Sequence, residues 1–253
     1  MTRCVGHRGA AGLAPENSLA AYAAGIAAGA DALECDVHRT RDGELVLIHD
    51  AEVSKTTNGH GQVGNLSFSD VRRLNCAAHF GDGKWAVQRI PTLAELLDLA
   101  QGRCAVQIEI KVPAEAPYPN IEAEVVEALR SHVILDSAQI ISFDGATLSR
   151  VRALEPHLPL GYLASRSSLP EDLRRDGEAL VAVAQAYGAT FLSLERQFIT
   201  ERHLQVTRRL GLGLAVWTVN DRREMERMVR KGVDAITTDR PDTLRQVLDN
   251  RPA

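Results

Sequence analysis

Three acidic side chains are spaced so that they could bind a single metal ion. Glu34 and Asp36 alternate with apolar residues in a short strand-like segment, which would place them on one face, roughly 6.6 Å apart along the strand. Carboxylates that close repel each other unless a cation lies between them. The same alternation recurs at Glu109 and Lys111. We therefore predict that Glu34, Asp36 and Glu109 converge on one divalent cation; the alternative is that Glu34 and Asp36 are solvated strand residues.

The ligand set indicates which ion to expect. Carboxylates without a Cys or His ligand suit a hard, oxygen-seeking cation, so Mg²⁺ or Ca²⁺ is favoured over zinc. His7 and His49 each follow an apolar strand-like run. A lone histidine there is commonly structural, but two that flank a carboxylate cluster are typical of an acid–base pair. Arg8 and Lys111 would either neutralise the acids or, together with a metal, bind a phosphate oxyanion.

Composition limits the partners and the location. The 253 residues are 45% hydrophobic and 25% charged, which is ordinary for a globular chain with a sizeable core. A net charge of −4 gives no reason to expect nucleic acid or an anionic membrane as a partner. No long apolar segment or secretory signal is present, so we expect a cytoplasmic protein without a transmembrane segment. Four cysteines without a C-x-x-C pair are expected to be reduced core thiols: Cys4, Cys35, Cys76 and Cys104.

Strand-like and helix-like runs alternate along the chain, which predicts a parallel sheet with right-handed crossovers. The Asp42-Gly43 pair predicts a tight hairpin, and its returning arm would bring His49 back beside Asp36. Setting that arm aside leaves eight strands, the number in a TIM (β/α)₈ barrel. We therefore predict one TIM-barrel catalytic domain over residues 1–253, with an irregular excursion over residues 51–90 near the active-site mouth.

Several local expectations follow from the same patterns. A helix is predicted from about residue 17 to residue 28, capped by Asn17 or Ser18. One continuous helix is predicted over residues 173–187. Cys35 and Ile110 alternate with the acids and should therefore face the helical layer rather than the barrel interior.

At this point the residues match a known family. The spacing of His7-Arg8, Glu34-x-Asp36 and His49-Asp50 resembles the pattern of the glycerophosphodiester phosphodiesterases. Further stretches that carry the resemblance across nearly the whole chain are PENS, IPTLAELL, IEIK, WTVN and GVDAITTDRPD. The resemblance implies a TIM barrel, a divalent metal, and hydrolysis of small glycerophosphodiesters to an alcohol and glycerol 3-phosphate.

The resemblance also implies roles for seven residues. They are the metal ligands Glu34, Asp36 and Glu109, the acid–base histidines His7 and His49, and the phosphate-binding residues Arg8 and Lys111. One imidazole would take a proton from the attacking hydroxyl, for which the glycerol 2-hydroxyl of the substrate is a candidate. The other would protonate the leaving alkoxide, and the sequence leaves open which histidine does which.

Four further residues are candidates for supporting roles, each with a structural alternative. Asp50 would orient His49 or cap a turn. Glu16 and Asn17 could reach the mouth, although Asn17 could equally be only a helix cap. Trp217 would form a wall of the glycerol pocket or fill the core.

Two other functions remain open at this stage. A phospholipase D-like activity on lysophospholipids would need an apolar groove beside the mouth. Its candidate lining residues in the excursion are Leu66, Phe68, Phe80 and Trp85. A barrel that binds phosphodiesters without turnover is the second alternative. The sequence predicts no oligomeric state.

Overall fold

Nine strands form one sheet in the computed structural model, which describes residues 1–81, 85–113 and 117–250. The strands are β1 Arg3–Gly6, β2 Ala32–Arg39, β3 Leu45–Leu47, β4 Ala105–Ile110, β5 Ala138–Ser142, β6 Leu160–Ala164, β7 Phe191–Glu195, β8 Gly213–Trp217 and β9 Ala235–Thr238. Strands β4 to β9 lie side by side in chain order and pair in parallel. β4 also pairs with β2, and β1 closes the ring by pairing with both β2 and β9. The predicted TIM barrel of eight parallel strands is confirmed.

The ninth strand, β3, is the returning arm of the predicted hairpin. It runs antiparallel to the end of β2, with Arg39 opposite Leu45. The Thr40 N–H donates to the Glu44 carbonyl at 2.9 Å, so the loop between them has three residues, one more than in the tightest hairpins. Gly43 takes the left-handed conformation there, with φ of 98°. The hairpin delivers His49 to the mouth of the barrel, as expected.

Helices cover the outside of the barrel. They are α1 Leu19–Ala27, α2 Phe68–Val71, α3 Leu93–Ala100, α4 Ile121–Ser131, α5 Gly145–Leu154, α6 Glu171–Arg175, α7 Gly177–Ala186, α8 Glu201–Arg209, α9 Arg222–Lys231 and α10 Pro241–Asp249. Three short 3₁₀ helices occupy Val53–Lys55, Val63–Asn65 and Leu135–Ser137. Within the described residues, every helix is too short or too polar to cross a bilayer.

The prediction of one continuous helix over residues 173–187 is wrong. The chain forms α6 and α7 instead, and they meet at Asp176, whose backbone is extended. The Asp176 carboxylate accepts hydrogen bonds from the N–H groups of Glu178 and Ala179 at 3.0 and 3.1 Å. An aspartate that caps a new helix start offers the backbone an alternative to continuing the first helix.

The start of α1 separates the roles of two neighbouring residues. Ser18 is the cap, because its hydroxyl accepts the Ala21 N–H at 3.1 Å. Asn17 lies just outside the helix with a positive φ of 53°, and its Nδ2 donates to Asp36 on β2 instead of capping α1. The choice between Asn17 and Ser18 as cap is therefore settled in favour of Ser18.

Two hydrophobic clusters hold the fold together. The larger lies between the sheet and the helices and contains Cys35 and Ile110, which confirms that these two face away from the acids. The smaller lies under the excursion, where Leu66 and Phe68 pack against buried residues such as Val63. The excursion is thus irregular in backbone but has its own apolar core. All four cysteines are free, in agreement with the sequence prediction.

Candidate active site

The three predicted acids come together at the mouth of the barrel. Glu34 and Asp36 lie on β2, and Asp36 is directly opposite Glu109 of the adjacent strand β4. Oxygen atoms of the three carboxylates lie within 4.8 Å of one another, and the three residues are only 3, 1 and 8% exposed. Residues two apart on β2 share a face, which is why the alternation in the sequence translates into a cluster.

Burial and mutual repulsion disfavour the ionised form of these three carboxylates unless a cation lies close to them. Burial, and then the charges of Asp36 and Glu109, raise the pKa of Glu34 well above its usual range. Burial also raises the pKa of Glu109 to about 7, although Lys111 acts in the opposite direction. The oxygens are close enough to share one ion, and three buried carboxylates are a donor set that a hard divalent cation satisfies. The residues present therefore fit such an ion.

Lys111 already lies against two of the acids. Its Nζ is 2.9 Å from Oδ1 of Asp36 and 2.7 Å from Oε1 of Glu109. Burial disfavours the charged ammonium, but Asp36 and Glu109 outweigh that effect and raise the pKa of Lys111. Burial would likewise raise the pKa of Asp36, yet Lys111 and Arg8 hold that pKa below its ordinary value. Each group thus favours the charged form of the other across their 2.9 Å contact.

Arg8 approaches the acids from the loop after β1. Its backbone N–H donates to Oε2 of Glu34 at 2.8 Å, and its Nη1 donates to Oε1 of Glu16, also at 2.8 Å. The Nε atom is buried and lies 3.3 Å from Oδ2 of Asp36, but it makes no hydrogen bond to the described residues. Glu16 therefore orients Arg8, and one guanidinium donor is left free for a further acceptor.

His7 is held by a carboxylate that the sequence analysis did not single out. Its Nδ1 lies 2.6 Å from Oδ1 of Asp239, the residue after β9. Asn220 donates to the other oxygen of Asp239 and accepts its backbone N–H at 2.8 Å. Burial opposes charge on Asp239, but the hydrogen bond from His7 lowers its pKa. Because Nδ1 is engaged by Asp239, Nε2 is the nitrogen of His7 left for a ligand.

His49 is held differently. Its Nδ1 lies 3.5 Å from Oδ2 of Asp50, a distance at which an ion pair is weak and a hydrogen bond poor. Its backbone carbonyl lies 3.1 Å from Nε2 of the buried His38. Burial lowers the pKa of the His49 imidazole, with Asp36 acting in the opposite direction. The structure thus brings Asp50 beside His49 without the close contact expected of an orienting carboxylate.

Asn17 holds a predicted metal ligand. Its Nδ2 donates to Oδ2 of Asp36 at 2.8 Å, and its Oδ1 accepts the hydroxyl of Tyr22 at 2.8 Å. Tyr22 is fully buried on α1 and was not predicted from the sequence. The two residues are five apart and Asn17 lies outside the helix, so no helical spacing rule pointed to this contact.

Part of this set of side chains lines one cavity of about 160 Å³. Its polar wall includes His7, Arg8, Glu34, His49, Glu109 and Lys111. Trp217 forms part of the apolar wall, with its Nε1–H donating to the Ser193 carbonyl at 2.9 Å. Phe143 packs edge-on against Trp217, with ring centroids 5.8 Å apart. The cavity therefore presents charge on one side and apolar rings on the other.

The residues proposed for an acyl groove have other contacts. Leu66 and Phe68 pack on the small cluster under the excursion, and Phe80 packs edge-on against Trp85 at 5.5 Å between ring centroids. None of these four lines the cavity within the described part of the chain. Residues 82–84 of the excursion lie outside the described residues.

Comparisons with known proteins agree with this architecture. The model of the glycerophosphoryl diester phosphodiesterase family matches residues 7–243. A glycerophosphodiester phosphodiesterase of Caldanaerobacter subterraneus subsp. tengcongensis is 35% identical, over 96% of this chain and 96% of that protein. The crystal structure of a glycerophosphodiester phosphodiesterase from Agrobacterium tumefaciens is 28% identical, with a TM-score of 0.81 over 96% of this chain and 99% of that one. A crystal structure of a Silicibacter pomeroyi protein, also 28% identical, reaches a TM-score of 0.89 over 99% of this chain and 94% of that one. The chain belongs to the glycerophosphoryl diester phosphodiesterase family, a family of phosphoric diester hydrolases.

Proposed function

We propose that this protein hydrolyses small glycerophosphodiesters to an alcohol and glycerol 3-phosphate, in a reaction that depends on one divalent cation and two histidines. The observation that carries the proposal is the cluster of three buried carboxylates with oxygens within 4.8 Å of one another, in a cavity that His7 and His49 also line. Family membership supports the reaction class. The proposal assigns catalysis to residues 1–253 as a single domain.

Glu34, Asp36 and Glu109 would hold the cation, which we propose to be Mg²⁺ or Ca²⁺ because all three offer carboxylate oxygen. When bound, the ion supplies positive charge that offsets the negative charge on the phosphate oxygens. Asn17 keeps Asp36 in place through its amide, so that one ligand is oriented before the ion arrives.

Arg8 and Lys111 would bind the phosphate. The Nε of Arg8 is a buried donor without a hydrogen bond in the described structure, and its plane is set by the bond from Nη1 to Glu16. A phosphate oxygen is an acceptor that would satisfy it. Lys111 presents its ammonium beside Asp36 and Glu109, so the positive charge lies where an anion would enter.

The two imidazoles would move the protons. One accepts the proton of the attacking hydroxyl, which is water or the glycerol 2-hydroxyl of the substrate, and the other donates a proton to the leaving alkoxide. Attack by the 2-hydroxyl gives a cyclic phosphate, which water then opens to glycerol 3-phosphate. Asp239 fixes the ring of His7 through Nδ1, which leaves Nε2 for the substrate. Trp217 and Phe143 would contact the carbon skeleton of glycerol on the apolar side.

A substrate panel tests this proposal. Glycerophosphodiesters with different head groups, and one lysophospholipid, are incubated with Mg²⁺, with Ca²⁺ or with a chelator, and released glycerol 3-phosphate is measured. We expect turnover of the water-soluble diesters with metal and its loss in chelator. Glu109→Gln should reduce turnover by about 10³-fold or more, because the metal site loses a charged ligand.

The matched control is Glu122→Gln, which removes a buried carboxylate that pairs with Arg150 on the helical layer. This variant should keep wild-type turnover. Full activity in chelator would refute the metal dependence. Choline released from the lysophospholipid, with no turnover of the soluble diesters, would favour the lysophospholipid activity instead, and binding without any product would favour a non-catalytic barrel.

A further inference from the structure

We infer that His38 and Tyr118 are positioning residues that hold His49 in place for proton transfer. This inference rests on the catalytic role proposed for His49. It concerns two side chains that do not line the cavity, one on the strand that carries Asp36 and the other in the loop between β4 and α4. Together they connect three parts of the mouth: β2, the segment after β3 and that loop.

The donor and the acceptor can be assigned in both hydrogen bonds of the His38 ring. Nε2 of His38 lies 3.1 Å from the carbonyl oxygen of His49, and Nδ1 lies 2.8 Å from the hydroxyl oxygen of Tyr118. A carbonyl can only accept, so Nε2 of His38 must carry the hydrogen. In the neutral ring Nδ1 is then an acceptor and the hydroxyl of Tyr118 is the donor. Tyr118 thereby selects the tautomer of His38 that can bind the backbone of His49.

His38 is buried, Tyr118 is half-buried, and the two rings pack against each other. His38 is only 2% exposed, and its ring meets that of Tyr118 edge-on, with centroids 5.7 Å apart at 87°. Tyr118 lies between two prolines, which limit the backbone conformations available to it. The excursion closes over the ring at Gly64, where an added Cβ would lie 3.1 Å from Cε1 of Tyr118. Neither ring can therefore move without displacing its neighbours.

This arrangement gives His49 the close anchor that its own carboxylate neighbour does not. Asp50 stands 3.5 Å from the His49 ring, whereas His38 bonds the His49 backbone at 3.1 Å. His38 and Asp36 are two residues apart on β2 and point to the same face of the sheet. One strand thus carries a proposed metal ligand and the anchor of a proposed acid–base residue, which fixes the distance between them.

Two substitutions at one position separate positioning from general packing. In His38→Gln, the amide nitrogen can occupy the place of Nε2 and donate to the His49 carbonyl. In His38→Asn, the shorter side chain places its amide nearer the position of Nδ1 and cannot reach. We expect His38→Asn to lower kcat by about 10- to 100-fold with KM within about twofold, because a displaced acid–base group mainly affects the chemical step. His38→Gln should retain at least about a third of the wild-type kcat. Tyr118→Phe should lower kcat by about three- to tenfold, because the ring of His38 is then free to adopt the other tautomer.

The experiment compares these variants with His49→Ala and with the double variant His38→Asn/His49→Ala, using the same diester and saturating metal. If His38 acts through His49, the double variant should be no slower than His49→Ala alone. An unchanged kcat in His38→Asn, or a further loss in the double variant, would overturn the inference. Unchanged turnover in His49→Ala would instead refute the proposed function. Thermal unfolding identifies any variant that fails to fold; should His38→Asn fail, Tyr118→Phe and its double variant with His49→Ala decide the question by the same criteria.

Discussion

The two histidine-bearing sides of the mouth are built in different ways. On the β1–β9 side, His7 is bound by Asp239 at 2.6 Å, and Asp239 is in turn held by Asn220. On the hairpin side, His49 lies 3.5 Å from Asp50 and is anchored through its backbone carbonyl. The first imidazole is oriented by a contact of its ring, whereas the second is placed by its main chain.

Two histidines that line one cavity can therefore differ in the proton-transfer step to which their surroundings suit them. A carboxylate at hydrogen-bond distance stabilises the protonated form of an imidazole. A ring that is partly buried and without a close carboxylate partner favours the neutral form, and burial does lower the pKa of His49. We therefore propose His7 as the proton donor and His49 as the proton acceptor.

The largest effect should come from removing either ring. We expect His7→Ala and His49→Ala each to lower kcat by about 10²- to 10⁴-fold on an alkyl diester, the usual contribution of a positioned acid or base. On glycerophospho-p-nitrophenol the leaving group needs no protonation. The defect of His7→Ala should then shrink to within about tenfold, while that of His49→Ala should persist.

Metal binding, measured by calorimetry, serves as the control, since neither variant removes a proposed ligand. The opposite pattern, with His49→Ala restored by the nitrophenyl substrate and His7→Ala not, would reverse the two roles. Equal restoration of both variants would contradict the proposed difference in role between His7 and His49.

An intermediate effect is expected from the two carboxylates that neighbour these rings. Asp239→Asn should lower kcat by about 10- to 100-fold, because it weakens the contact that orients the His7 ring through Nδ1. Asp50→Asn should change kcat by less than about threefold, since that carboxylate stands 3.5 Å from His49. Steady-state kinetics of the two variants measure this, and equal losses in both would show that the two sides are supported alike.

The smallest effect should come from adding a methyl group beside Tyr118, the residue that holds His38 against the backbone of His49. Gly64→Ala places a methyl group 3.1 Å from the ring of Tyr118, and Gly213→Ala places one equally close to Cβ of Phe191, at the start of β8 and away from the mouth. Each should cost about 1 kcal/mol or less in the free energy of unfolding. Only Gly64→Ala should also lower kcat, by about two- to fivefold. A larger kcat loss in Gly213→Ala than in Gly64→Ala would contradict the local anchor.

Alternation of apolar and polar residues predicted much of this molecule, because strand periodicity decides which side chains share a face. The convergence of Glu34, Asp36 and Glu109 follows from that rule together with barrel closure. The contact between Asp239 and His7 was not predicted, since it forms where the last strand closes on the first and has no local signal.

Other parts escaped prediction for local reasons. The break at Asp176 was missed because Leu173 was assigned to the apolar face of α7, whereas the capping geometry shows that the backbone leaves the helix at Asp176. The two roles weighed for Asn17 could not be separated, because they depend on its positive φ and on the contacts of its amide with Asp36 and Tyr22, which only the structure shows.

The pairing of Asp36 with Glu109 in neighbouring strands links metal binding to the stability of the folded protein. A shift of one residue in that pairing would turn Glu109 toward the helices, so the acids meet only in the correctly assembled barrel. An ion captured there binds the native form and not the unfolded chain, and so favours the native form by mass action. The concentration of the ion would thereby influence the lifetime of the folded protein as well as its turnover rate.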